Sequence, residues 1–199
     1  DGFKEVTTRL SGNAVDATLT NPLNSFTEAL LFTHRGLSGP SSLQLSNYWD
    51  VGQSFDINFL PYIDVLDLFK SKKTSQSKVL LRTLLSEHLP KSLVIELQNL
   101  IWSDVAETAI GNISDDKLEQ IAQRLQSFNV KPSGTEGYRT AEVTLGGVDT
   151  TEVSSKTMES KKQKICFDSK LDMWQLSHYG ISMNNYFDVS LAIYVANEM

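Results

Sequence analysis

Apolar and polar positions alternate with period two in three stretches of the chain. Val15, Ala17 and Leu19 alternate with Asp16, Thr18 and Thr20; Phe55, Ile57 and Phe59 with Asp56 and Asn58; and Ala141, Val143 and Leu145 with Thr140, Glu142 and Thr144. Successive side chains of a strand point to opposite faces, so each stretch reads as a strand buried on one side. Residues 3–10 are read as a further strand. They would form a hairpin with residues 14–19 around Ser11-Gly12-Asn13, a tripeptide of turn-forming residues. Asn21-Pro22 interrupts the pattern, residues 29–32 read as a buried strand, and residues 128–132 as a returning one.

Between these strands the period changes to that of a helix. Residues 62–73 carry Ile63, Leu66, Leu68 and Phe69 near helical spacing. Val79, Leu80, Leu84, Leu85 and Leu89 form a second apolar face that Pro90 stops, and Leu93, Val94, Leu97, Leu100 and Ile101 form a third. Ser114 is placed to cap a further helix, with Asp115 and Asp116 in its first turn and Leu118, Ile121, Ala122, Leu125 and Phe128 along one side. Such stripes bury one another, which predicts a helical subdomain over residues 75–127 with His88 structural or exposed. The fold class expected is therefore α+β, a small β-domain interrupted by helices. Its divisions are a β-rich part (1–74), the helices (75–127), returning strands and a loop (128–161), and an atypical tail (162–199).

Charge and cysteine usage narrow the function. The 18 basic and 24 acidic residues give a net charge of −6. That balance argues against a dedicated nucleic-acid binder, which needs a basic surface to displace counterions. The longest basic blocks, Lys72-Lys73 and Lys161-Lys162, read as solvated surface. Cys166 is the only cysteine, which excludes an intrachain disulfide and a cysteine-rich metal site and suits a reducing cytoplasm. No apolar run approaches the length that spans a bilayer, so no membrane partner is expected. A first residue of Asp1 in place of methionine suggests a piece of a longer protein.

Candidate chemistry gathers in two loops. The first is Thr33-His34-Arg35-Gly36-Leu37-Ser38-Gly39-Pro40, leading into a short helix over residues 41–49. Pro40 suits the first turn of a helix, where its missing N–H costs nothing. The loop reads either as an anion or flavin-edge contact at that helix start, or as an ordinary glycine-rich start. His34 is a candidate acid/base group or a structural hydrogen-bonder, and no Cys or second His stands near it to suggest a metal. Ser38 does not meet the nucleophile-elbow pattern, because Pro40 stands where the second glycine is required. The second loop is Gly146-Gly147-Val148 after the strand ending at Leu145, followed by the polar run Ser155 to Ser160.

Two long runs carry a family resemblance. Leu30-Leu-Phe-Thr-His-Arg-Gly-Leu-Ser-Gly-Pro40 and Gly134-Thr-Glu-Gly-Tyr-Arg-Thr-Ala-Glu-Val-Thr-Leu-Gly-Gly-Val148, the latter followed by Ser155-Lys-Thr-Met-Glu-Ser160, resemble the bacterial NAD(P)/FAD-dependent oxidoreductases of the BaiN and aminoacetone-oxidase type. The likeness is close over residues 29–49 and 128–161 and looser over the rest of 1–161. It implies a β-barrel-like domain with a helical cap, inserted in a Rossmann-type FAD-binding domain. It implies FAD as cofactor, NAD(P)H as reductant and a small-molecule substrate. By the same resemblance Thr33, Gly36, Ser38, Gly39, Thr144, Gly146, Gly147 and Val148 contact the flavin, His34 is the catalytic candidate, and Tyr138 and Arg139 orient substrate. The chain departs from the pattern in two places. It has no G-x-G-x-x-G, so the Rossmann core is largely missing, and residues 165–185 hold a single glycine, Gly180, where the family is glycine-rich. Two functions follow: a fragment of a flavoenzyme that supplies substrate-side and flavin-side loops, or a non-enzymatic module that docks on a separate FAD-binding domain.

Overall fold

The alternation of Val15, Ala17 and Leu19 becomes β1 (Ala14–Thr20) in the computed structural model, which describes residues 2–144, 150–157 and 161. All three apolar side chains are buried. β1 pairs antiparallel with β2 (Ser25–Thr33), from Ala14 opposite Leu31 to Thr20 opposite Ser25. Asn21 shapes the turn between them. Its Oδ1 accepts from the backbone N–H of Leu23 (3.0 Å) and Asn24 (2.8 Å), and its Nδ2 donates to Tyr48 O at 2.6 Å. β3 (Gly36–Ser38) pairs with β2, β4 (Phe55–Asn58) with the free edge of β1, and β5 (Phe128–Val130) with β4. The result is a five-stranded antiparallel sheet in the order β3-β2-β1-β4-β5, curled into a half-barrel.

Two expected strands are corrected. Residues 3–10 form a helix, α1 (Gly2–Arg9), rather than the first arm of a hairpin. Val6, Thr7 and Leu10 are buried and Phe3 packs partly against them, which is the i, i+3, i+4, i+7 spacing of a helix face. The Thr7 and Thr8 hydroxyls donate back to Lys4 O, and so are satisfied within the helix. Asn21-Pro22 is accordingly the turn of the real hairpin and not only a break. Residues 140–144 also form no strand. Tyr138–Thr140 is a single 3-10 turn, and Ala141, Glu142 and Val143 are exposed. Period-two alternation selects a face only where a neighbouring strand and a core exist to bury it.

The helices follow the sequence pattern closely. α2 (Pro40–Ser46) begins on Pro40, and α3 (Val65–Ser75) is capped by Asp64, whose side chain accepts from Asp67 N. α4 (Leu81–Leu85) is short, and α5 (Lys91–Ile101) restarts after Pro90. α6 (Asp115–Gln126) is capped by Ser114, which accepts from Lys117 N. Leu100 departs from the expected α5 face and is exposed, whereas Leu93, Val94, Leu97 and Ile101 are buried. Strands and helices share one core, in which Leu19, Ile57, Phe69, Leu84, Leu97, Leu118 and Leu125 all lie. Phe59 N donates to Leu125 O at 3.1 Å and so joins the chain just after β4 to α6.

The chain divides into two compact units, residues 1–136 and 137–199. The sheet and helices belong to the first. Within the second, the described residues hold the turns Tyr138–Thr140 and Thr150–Glu152, with Lys161 N donating to Glu152 O at 2.7 Å. Gly146, Gly147, Val148, Cys166 and the tail 162–199 lie outside the described residues. No helix among the described residues is long and apolar enough to cross a membrane.

Candidate functional site

The first candidate loop is a tight hairpin. β2 and β3 pair from Leu31 opposite Ser38 to Thr33 opposite Gly36, leaving His34 and Arg35 as a two-residue tip. The Thr33 hydroxyl holds the tip together. Its oxygen accepts from Arg35 N (3.2 Å) and Gly36 N (3.1 Å), and it donates to Gly36 O (3.0 Å). The Thr8 hydroxyl at the end of α1 reaches His34 O at 3.3 Å. His34 and Arg35 are both exposed, and the Arg35 guanidinium pairs with Glu136 at 3.1 Å.

Gly39 and Gly36 have different surroundings. Gly39 caps α2 at φ 87°, and a Cβ there would lie 2.7 Å from Ala29 O and 2.9 Å from Leu31 N. It therefore lets α2 lie directly on β2, and buried Ser41 donates to Ala29 O beside it. Around Gly36 nothing lies within 4 Å of a Cβ, so the backbone presents an open face next to half-buried Ser38. Thr33 and Gly39 thus shape the loop, while His34 and Arg35 are exposed at its tip and Gly36 and Ser38 are half-buried. Within the second unit Tyr138 and Arg139 sit on an exposed turn preceded by Gly137 at φ 74°, and Thr144 is half-buried.

Other features were not singled out by sequence reading. Val15, Asp16, Phe59, Tyr62, His88 and Pro90 line a cleft of about 240 Å³, with Tyr62 largely exposed. No sequence motif signals it, because its walls come from β1, the β4–α3 connection and the α4–α5 turn. Among the described residues no group of three or more His, Cys, Asp or Glu side chains is placed to hold a metal. Ion pairs link the helices. Arg9 grips Glu96 through two hydrogen bonds of 2.6 and 2.8 Å, and Lys73 reaches Ile113 O (2.6 Å) and Asp115 (2.7 Å). Arg82 pairs with Glu107 and Lys117 with Asp104. The bonds from Arg9, Arg82, Lys117 and Lys73 hold the Glu96, Glu107, Asp104 and Asp115 carboxyls below their usual range.

Comparison with known proteins places this geometry. Residues 3–143 match the family described as HI0933-like protein barrel and H2TH domain, which accounts for both the half-barrel and the helices. A protein of Escherichia coli strain K12 named ribosomal RNA dihydrouridine synthase is 44% identical over 154 residues, covering 77% of this chain and 38% of that protein. One of the same name from Haemophilus influenzae is 44% identical over 159 residues, covering 78% and 38%. The chain therefore spans well under half the length of these relatives. Their name overturns the expectation that nucleic acid is excluded as a partner class. That expectation rested on net charge, which averages over the whole surface and is blind to local patches.

Proposed function

The chain belongs to the HI0933-like barrel and H2TH domain family, which is related to FAD-dependent oxidoreductases, and from that premise we propose that it is the barrel-and-helix portion of a flavin-dependent reductase acting on uridine in ribosomal RNA. The observation that carries the reading is the identity to proteins named for dihydrouridine synthesis on that RNA. The same observation favours RNA over the small-molecule chemistry implied by the BaiN and aminoacetone-oxidase resemblance.

Dihydrouridine is uridine reduced across C5–C6, and FAD kept reduced by NAD(P)H would supply the hydride for that bond. The rest is the protein's task. In this reading Ser38 and the open face of Gly36 meet the flavin edge, with Thr33 and Gly39 holding them in place. The resemblance gives Thr144, Gly146, Gly147 and Val148 a flavin-side role as well, the last three lying outside the described residues. His34, exposed at the hairpin tip, is the proton donor to the uracil ring, and Tyr138 and Arg139 orient the nucleotide.

The test uses the complete gene product in a bacterium lacking its own ribosomal RNA dihydrouridine synthase. Ribosomal RNA is digested to nucleosides and dihydrouridine is read by mass spectrometry. Restored dihydrouridine, with flavin absorbance in the purified protein, is the expected result. A folded, flavin-loaded protein that leaves uridine unreduced would refute the reading. His34→Ala should keep the flavin spectrum and lower the rate by about 10²-fold or more, the range of general acid catalysis.

A further inference from the structure

The charge of this chain is unevenly distributed. Residues 68–86 contain Lys70, Lys72, Lys73, Lys78 and Arg82 and no acidic residue, in a chain whose net charge is −6. Resting on the RNA reading above, we propose that the end of α3 and the segment after it form a docking surface for the RNA phosphate backbone, with Lys70, Lys72 and Lys78 as its cations.

Two of the five basic groups are held in ion pairs. Lys73 is held by Asp115 and Ile113 O, and Arg82 by Glu107. The other three make no ion pair among the described residues. Lys70 and Lys78 are exposed, Lys70 close enough to Asp115 to help lower its pKa, and the Lys72 ammonium donates to Gln76 Oε1 at 3.4 Å. The negative end of the helix dipole accounts for basic residues in the last turn of α3, but not for Lys78, which lies beyond it. Exposed Ser71, Thr74, Ser75 and Ser77 stand among the lysines and add hydroxyls of the kind that contact phosphate oxygens.

The surface is also rigid. Lys73 ties α3 to the start of α6. Beyond the helix, Gly111 N donates to Ser77 O and Ile110 N to Val79 O, both at 2.8 Å. A Cβ on Gly111 would lie 2.8 Å from the Ser77 Cβ, so the two segments touch directly. The lysines therefore project from a backbone already fixed, which lowers the ordering cost of binding an extended polyanion.

The test measures binding of deproteinised ribosomal RNA to the chain by filter retention across a salt series. Each phosphate contact contributes roughly 0.7–0.9 to the slope of log affinity against log salt. The variant carrying Lys70→Ala, Lys72→Ala and Lys78→Ala should lose about 2–3 from that slope and bind on the order of tenfold or more weakly at low salt. Lys4→Ala with Lys91→Ala, two exposed lysines elsewhere, should change neither. Lys78→Glu, outside any helix, gives a charge reversal that spares α3 and should weaken binding by itself. Folded variants with unaltered slope and affinity overturn the docking surface and leave the reductase reading intact. Failure of the unaltered chain to bind RNA also overturns the surface, whereas the nucleoside assay reports on the reductase independently.

Discussion

Gly36 and Gly39 look alike in the sequence and differ in what surrounds them. At Gly39 a methyl group would meet backbone atoms of β2, which cannot swing aside, and φ is 87°. Gly39→Ala should cost roughly 1–3 kcal/mol from the forced backbone, and more from the clash. Gly36→Ala meets open space but a φ of 152°, so it should cost roughly 1–3 kcal/mol from the backbone alone and less than Gly39→Ala. Denaturant melts of the two variants check this, and equal costs would contradict the close approach of α2 to β2. Glu96 carries a pH dependence. The hydrogen bonds from Arg9 lower its pKa, with burial opposing, so the pair adds stability above the unfolded carboxylate pKa and loses it as pH falls through the folded one. Arg9 is half exposed, so the effect is small. Glu96→Gln should lower the melting temperature near neutrality by about 2–4 °C, and the gap to the unaltered protein should close in acid.

At the scale of elements, helix ends and faces were legible and strand partners were not. Ser114 with Asp115 and Asp116 announces α6, because a cap is satisfied within three residues of itself. Ser114→Ala should cost about 0.5–2 kcal/mol by loss of that cap, and Leu125→Ala, fully buried in the shared core, about 2–5 kcal/mol. Equilibrium unfolding would rank them, and a Leu125→Ala variant less costly than Ser114→Ala would count against the packing of α6 on the sheet. α1 was misread because Ser11-Gly12-Asn13 is equally good chemistry for a hairpin or for the end of a helix. The helical spacing of Phe3, Val6, Thr7 and Leu10 was present, but a buried threonine does not register as apolar. Residues 140–145 show the opposite error, an alternating pattern whose described part, residues 140–144, forms no strand.

For the whole molecule, the two loop signatures were readable as motifs but not as geometry. Their residues spell a flavoprotein resemblance, yet only the structure separates Thr33 and Gly39, which build the hairpin, from His34, which is exposed at its tip. Net charge misled in the same way: −6 is a sum, and the basic stretch of residues 68–86 is visible only when position along the chain is kept. Sequence alone settled β1, β4 and β5, the buried face of α6, that of α5 apart from Leu100, and the cap of α6, because periodicity and capping depend on residues a few positions apart. The tertiary structure alone decided that β1 pairs with β2 and β4, that residues 3–10 are helical, and that Gly39 rather than Gly36 is crowded. Each of those depends on which distant segment supplies the neighbouring backbone, and that choice is made by burial of the shared core.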